Sequence, residues 1–432
     1  MAKLIAVVLL GGVLACREPA TAPPPFEPVL SDRDLWSGGE LQLIEAAFAH
    51  ADAIVIVGAD TLVPQHVDDT TLVVRLPVRS GEFPLRVVAG RVAASLGNIH
   101  LHGFEGLTEG PNMSGQPYWI PAGAPLVFAG ADPGAAIVDL RTGSRVVSLP
   151  DSVYSPDCVQ SVGPTRIVNQ FVLIGRNPSG QCGVPKLWSV SSNPLLLDSV
   201  QVAGDNDWYT TGQPAGRRWV FNNNNHNLFF NCDSVPCSQT FFLSPDGPDG
   251  VTIAPTGNRF LWLPADDAVV YDSRTFDTAY VVPGFHNVHG TFSPDGDTLV
   301  LAADVYIPPS PSLHIVAVRA SDGAVLHDLS LDSLLQSMGY QTLSPIAFDR
   351  ERPLLYATVS RYSFADSLSH LRLIVLDRRT WTIVGMAEGV GGWGGSVAIV
   401  PSPVEHLVYV VGAVQGYNMH GYRAFIWRFG TP

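Results

Sequence analysis

The sequence predicts an all-β protein in two parts, a small first unit and then a seven-bladed β-propeller. Three observations predict it. Short runs of Val, Ile, Leu and aromatic residues recur between clusters of Gly, Pro, Asn and Asp, which is a strand-and-turn pattern. A D-x-R-T motif returns as Asp139-Leu140-Arg141-Thr142, Asp272-Ser273-Arg274-Thr275 and Asp377-Arg378-Arg379-Thr380. The units that carry it repeat every roughly 40–55 residues, the period of a four-stranded blade.

The chain of 432 residues begins with a short address. Lys3 precedes the run Leu4 to Leu14, and Cys16 follows Val13-Leu14-Ala15. A charged start, a short apolar stretch and a small residue before the cut make a secretory signal over residues 1–15. The stretch is well short of the ~20 residues that span a bilayer as a helix. This Val-Leu-Ala-Cys run resembles the lipobox of bacterial lipoproteins. The resemblance implies cleavage before Cys16 and acylation of both its thiol and the new N-terminus. Arg17 stands where an Asp would favour retention at the inner membrane, which implies an outer-membrane address, periplasmic or surface-facing. Residues 16–36, with the run REPATAPPPFEP, read as a semi-rigid tether.

Residues 37–105 form the first folded unit. Its strands are expected at Glu40–Phe48, Ala53–Val57, Thr70–Pro77, Pro84–Ala89 and Asn98–His102. The run Thr71-Leu72-Val73-Val74-Arg75-Leu76-Pro77, then Gly81 and Pro84-Leu85-Arg86-Val87-Val88, resembles the IPT/TIG type of immunoglobulin-like domain. That implies an immunoglobulin-like β-sandwich.

Residues 106–432 carry the repeat. Apolar strands flank each D-x-R-T turn, for example Ala268-Val269-Val270-Tyr271 before it and Ala279-Tyr280-Val281-Val282 after it. Asp and Thr oxygens suit such turns because they bond nearby backbone N–H groups. A second turn, often Pro-containing, leads into a buried strand: Ile253-Ala254-Pro255-Thr256-Gly257, Phe292-Ser293-Pro294-Asp295-Gly296, and again at Ile346 and Val397. Units begin near residues 115, 158, 208, 250, 288, 343 and 394. The SPDG turns and the strand–D-x-x-T hairpins resemble the YVTN and WD-repeat-like propellers of bacterial secreted proteins. Leu329–Met338 is the one helical candidate, read as a short loop turn.

Five cysteines fit an oxidising compartment. With Cys16 set aside, Cys158, Cys182, Cys232 and Cys237 allow three pairings, and proximity favours Cys158–Cys182 with Cys232–Cys237. Zinc is a weaker reading, since Cys232-x4-Cys237 lacks a nearby His-x-x-x-His. The net charge of −14 argues against a nucleic-acid partner, which needs Lys and Arg on phosphates.

For a binding face the sequence offers Trp208, His286, His289 and Trp393, the last inside Gly391-Gly392-Trp393-Gly394-Gly395. Trp combines a large apolar face with one donor and so anchors sugars or peptides. Their bland alternative is packing between blades. His286 with His289, and His100 with His102, have the spacing of His pairs, but no third metal ligand is in sight. Asn222 to Asn225 before His226 read as a loop. No G-x-S-x-G elbow is present, and Glu351 and Glu405 read as solvated rather than catalytic. No cofactor or metal is implied. The expectation is a lipid-anchored binding or scaffolding protein whose propeller takes an envelope protein, peptide or glycan. The alternative is a lactonase-like propeller hydrolase, whose His, Glu and Arg set cannot be assembled from the few Glu of the repeats, Glu388 included.

Overall fold

The computed structural model describes residues 26–45, 48, 53–66, 68–121, 125–131, 135–149, 162–164, 170–176, 182–189, 196–199, 209–210, 212–213, 218–223, 226–231, 238–242, 250–263, 267–307, 310–335, 342–363, 368–391, 395–413 and 423–432. The chain is all-β. Cys16, Cys158, Cys232, Cys237, Trp208 and Trp393 lie outside the described residues, so the lipid-attachment and bridge expectations fall there too.

Two sheets open the fold. One pairs Val29–Leu30, Glu40–Ile44, Thr71–Arg75 and Gln65–His66; the other pairs Asp34–Trp36, Val92–His102, Gly81–Ala89, Ala53–Val57 and Asp60–Leu62. Burial alternates along Glu40–Ile44 and Ala53–Val57, as it must when one sheet face meets the core and the other meets water. Leu41, Leu43, Val55, Val57, Leu72, Val74, Leu85, Val87, Ile99 and Leu101 fill the space between the sheets. The sequence reading lacks Asp34–Trp36 and the other strands of two or three residues, which are too short to display a period. It also extends the strand at Glu40 to Phe48; pairing ends at Ile44, and Phe48 is buried in the core outside the strand.

Seven four-stranded antiparallel units follow among the described residues. Blades 2, 3, 5 and 6 are separate sheets whose inner strands are Val162–Pro164, Tyr209–Thr210, Phe285–Phe292 and Thr342–Phe348. Blade 4 starts at Gly250–Ile253 and carries an added parallel strand, Gly212–Gln213. Blades 1 and 7 share the strand Phe104–Pro121. Its first part pairs with Arg423–Gly430 as the outer strand of blade 7; its second pairs with Pro125–Ala131 as the inner strand of blade 1. The last blade therefore borrows its fourth strand from the start of the repeat region, which joins the last blade to the first. Placing the first blade near residue 115 missed this closing strand, because Phe104 to Asn112 is interrupted by Gly106, Gly110 and Pro111.

Blade strands are buried on both faces, so they read as continuous apolar runs. Leu299 and Leu301 pack toward blade 4, while Val300 and Ala302, one residue out of phase, pack toward blade 6. The outer strand Val325–Ser330 is almost wholly exposed. The helix turn Asp332–Leu335 follows it, so Leu329 and Ser330 are strand rather than helix.

The two parts are fused. Trp36 of the sandwich is buried among Tyr356, Leu373, Val375, Val408 and Trp427, in the core between blades 6 and 7. Its ring meets Tyr356 edge-on at 6.4 Å. Gly385 makes room for it, since a Cβ there would sit 2.4 Å from the Trp36 Cβ. The Met386 N–H donates to the Ser37 carbonyl at 2.8 Å, and the Ser37 hydroxyl donates to the Met386 carbonyl. These bonds cover the exposed edge of the outer strand Thr382–Val390.

Candidate functional site

The ring has two unlike faces. One carries the turns between the first and second, and between the third and fourth, strands of the blades. Where these turns are among the described residues, their polar groups are taken up by structure. Asp272 accepts from the N–H groups of Arg274 and Thr275 at 2.8 and 3.1 Å, and Asp377 from that of Arg379 at 2.7 Å. The residue four positions after the start of these turns, and of the equivalent Arg319-Ala320-Ser321-Asp322 turn of blade 5, sits in left-handed backbone: Gly143, Phe276, Trp381 and Gly323. Backbone bonds close each turn, for example Phe276 N–H to the Asp272 carbonyl at 2.9 Å. Glu405 belongs here as well. Contrary to the solvated position read from the sequence, it accepts from Tyr409 at 2.9 Å and Ser402 at 3.0 Å and lies 3.6 Å from Arg141 of blade 1.

The opposite, crossover face carries the connections between blades and between second and third strands, which follow no repeat. Of the sequence candidates, Trp208 and Trp393 lie outside the described residues. His286 and His289 lie on the inner strand of blade 5, opposite Asp304 and Ala302, with a bulge between them. Desolvation by the surrounding protein lowers the His289 pKa to about 4. It is therefore neutral near pH 7. Asn223 pairs with His226 across a tight connection in blade 3. His100 and His102 are elsewhere, on the sandwich strand Val92–His102 beside its junction with the ring. Their rings are 4.3 Å apart, and Asp34 lies 3.8 Å from His102. Burial, then the neighbouring His100, lowers the His102 pKa against the pull of Asp34. Among the described residues, no three His, Cys, Asp or Glu side chains converge as a metal site would require.

Sequence reasoning missed two polar clusters on this face. The first lies at the crossover end of blade 6. Arg361 on Leu354–Ser363 stands opposite His370 on Leu368–Asp377, and Arg372 stands opposite Glu388. These residues line a cavity of about 190 Å³. Arg372 is nearly buried; it donates to Glu388 through Nε at 3.0 Å and through Nη2, and to the Leu334 carbonyl at 2.9 Å. The available signal was an arginine inside the apolar run Leu371-Arg372-Leu373-Ile374, where a charge is costly unless paired.

The second cluster is on blade 5. Ser312 Oγ lies 2.8 Å from His314 Nε2, and His314 Nδ1 lies 2.5 Å from Asp328. That is the spacing of a nucleophile, base and orienting acid. The hydroxyl, however, donates to Asp332 at 2.5 Å, so Ser312 offers His314 a lone pair rather than a proton. Burial alone would raise the Asp332 pKa; bonds from Ser312, the Leu313 N–H and Ser330 outweigh it and hold the group low. This direction of donation suits a structural clasp and opposes general-base activation of the serine.

No family model matches the chain, and no curated protein matches it. Among solved structures, the β-propeller domain of Myceliophteria thermophila Cps50 (Swd1) superimposes with a TM-score of 0.51. The match covers 74% of this chain and 99% of that domain at 13% sequence identity. At that identity the likeness establishes the fold and nothing further.

Proposed function

We propose that this chain is an exported, lipid-anchored binding or scaffolding protein whose propeller offers its crossover face to a protein, peptide or glycan of the cell envelope. The observation that carries the reading is the contrast between the faces. The described turn face carries Asp-anchored turns, whereas the crossover connections share no repeated sequence motif, and in repeat folds such non-repeating connections commonly form the binding surface. Trp208 immediately precedes the inner strand of blade 3, and Trp393 lies between the outer strand of blade 6 and the inner strand Gly395–Ser402 of blade 7. The IPT/TIG-like sandwich, which takes in residues 29–36 of the expected tether, acts as a brace fixed to blades 6 and 7, and the shorter tether before it joins it to the lipid on Cys16.

The test pairs two variants in a pull-down from envelope extract. Trp208→Ala with Trp393→Ala is expected to lose partners, while Arg274→Ala with Arg379→Ala on the turn face keeps them. Equal capture by both variants contradicts the reading. Labelled palmitate is expected to enter the wild-type protein in a bacterial host and to be lost in Cys16→Ser.

The hydrolase alternative has one specific observation in its favour, the Ser312–His314–Asp328 spacing. The donation of the Ser312 hydroxyl to Asp332 stands against it. Fluorophosphonate labelling that disappears in Ser312→Ala would reinstate the alternative.

A further inference from the structure

We propose that the cavity at the crossover end of blade 6 is a carboxylate pocket, taking the acidic side chain or the C-terminal carboxylate of a peptide laid across that face. It rests on the binding role assigned to the crossover face above.

The pocket is built on strands, not on loops. His370 and Arg372 are two residues apart on one strand and therefore share a sheet face. Arg361 joins them from the preceding strand and Glu388 from the following one. The two arginines are in different states. Arg372 is spent: its donors are engaged by Glu388 and the Leu334 carbonyl, and its charge is matched. Arg361 is not. It is partly buried, its Nε is shut off from water without a hydrogen-bond partner, and no carboxylate among the described residues pairs with it. A guanidinium always carries its charge, and a buried N–H without an acceptor is unfavourable. Among the described residues the pocket thus holds one unmatched positive charge, in a protein whose net charge is −14.

Charge and size select the ligand. The planar fork of an arginine matches a carboxylate in geometry. One unmatched cation neutralises a monoanion, whereas a phosphate dianion would leave charge unpaired beside Glu388. A volume of about 190 Å³ is below the range of roughly 300–1,000 Å³ typical of drug-sized ligands, so it suits one side chain or one chain terminus.

The experiment titrates the intact protein with blocked tripeptides and follows the His370 ring by NMR. The probes are acetyl-Ala-Glu-Ala-amide, acetyl-Ala-Gln-Ala-amide, acetyl-Ala-Ala-Ala with a free carboxylate, and inorganic phosphate. The Glu peptide, the free-carboxylate peptide or both are expected to bind at least tenfold more tightly than the Gln peptide; which of the two does so distinguishes side chain from terminus. Arg361→Ala is expected to abolish that preference and Arg361→Lys to keep part of it. Arg361→Gln serves if the alanine variant does not fold. Equal response to the Glu, Gln and free-carboxylate peptides, tighter binding of phosphate, or an unchanged preference in a folded Arg361 variant would overturn the proposal. If the pocket fails while the Trp208 and Trp393 variant still loses its partners, the crossover-face reading stands and only the carboxylate assignment falls.

Discussion

Asp349 shows how much one side chain can hold. It is wholly buried and accepts from the Glu351 and Arg352 N–H groups, from the Arg352 Nε at 2.8 Å and from the Tyr356 hydroxyl at 3.1 Å. Arg352 in turn reaches the Thr431 hydroxyl at 3.0 Å and the Pro432 carbonyl at 3.1 Å, so the chain terminus is tied to blade 6. Asp349→Ala removes the buried carboxylate that gathers two backbone N–H groups, the Arg352 Nε and the Tyr356 hydroxyl, and is expected to cost about 1–3 kcal/mol, read from urea unfolding; an unchanged midpoint would contradict the network. His289 gives a pH signature. Its pKa falls from 6.5 to about 4 on folding, so the unfolded chain binds more protons between those values. Stability therefore declines as pH drops from about 6.5 to about 4 and this contribution levels off below. His289→Gln is expected to make the pH dependence of the urea midpoint shallower in that window, and an unchanged slope would contradict the assignment.

At the scale of elements, the D-x-R-T turns were legible because their chemistry is local. An Asp oxygen reaching an N–H two residues on needs nothing from the rest of the chain. The left-handed position that ends these three turns is filled by Gly143, Phe276 and Trp381, and in the equivalent Arg319-Ala320-Ser321-Asp322 turn of blade 5 by Gly323; only the glycines adopt it without strain. At Gly323, with φ +77°, a Cβ would also meet the Tyr280 ring 2.4 Å away. Gly323→Ala is expected to lose about 1–3 kcal/mol by thermal or urea unfolding. A neutral substitution would mean that the turn can rearrange. Less legible were the strands of two and three residues and the closing strand from Phe104, whose partners lie some 320 positions away in sequence. Arg361 was invisible for the same reason: its neighbours His370 and Arg372 converge only when the second and third strands of blade 6 pair.

At the scale of the molecule, alternating burial marks the sandwich and unbroken apolar runs mark the blades. The junction between them could not be read, because Trp36 lies just ahead of the unit boundary drawn at residue 37, yet it fills the core between blades 6 and 7. Trp36→Ala is expected to cost about 3–5 kcal/mol and to let limited proteolysis separate the sandwich from the ring; a variant as stable and as protease-resistant as wild type would contradict a fused junction. The central claim is that the crossover face, and not the turn face, is the working surface. The most direct measurement is hydrogen–deuterium exchange of the intact protein with and without its captured envelope partner. Protection is predicted around residues 284–290, 360–372 and 388–396, with no change at the turns 272–276, 319–323 and 377–381. Protection confined to those turns would contradict the account.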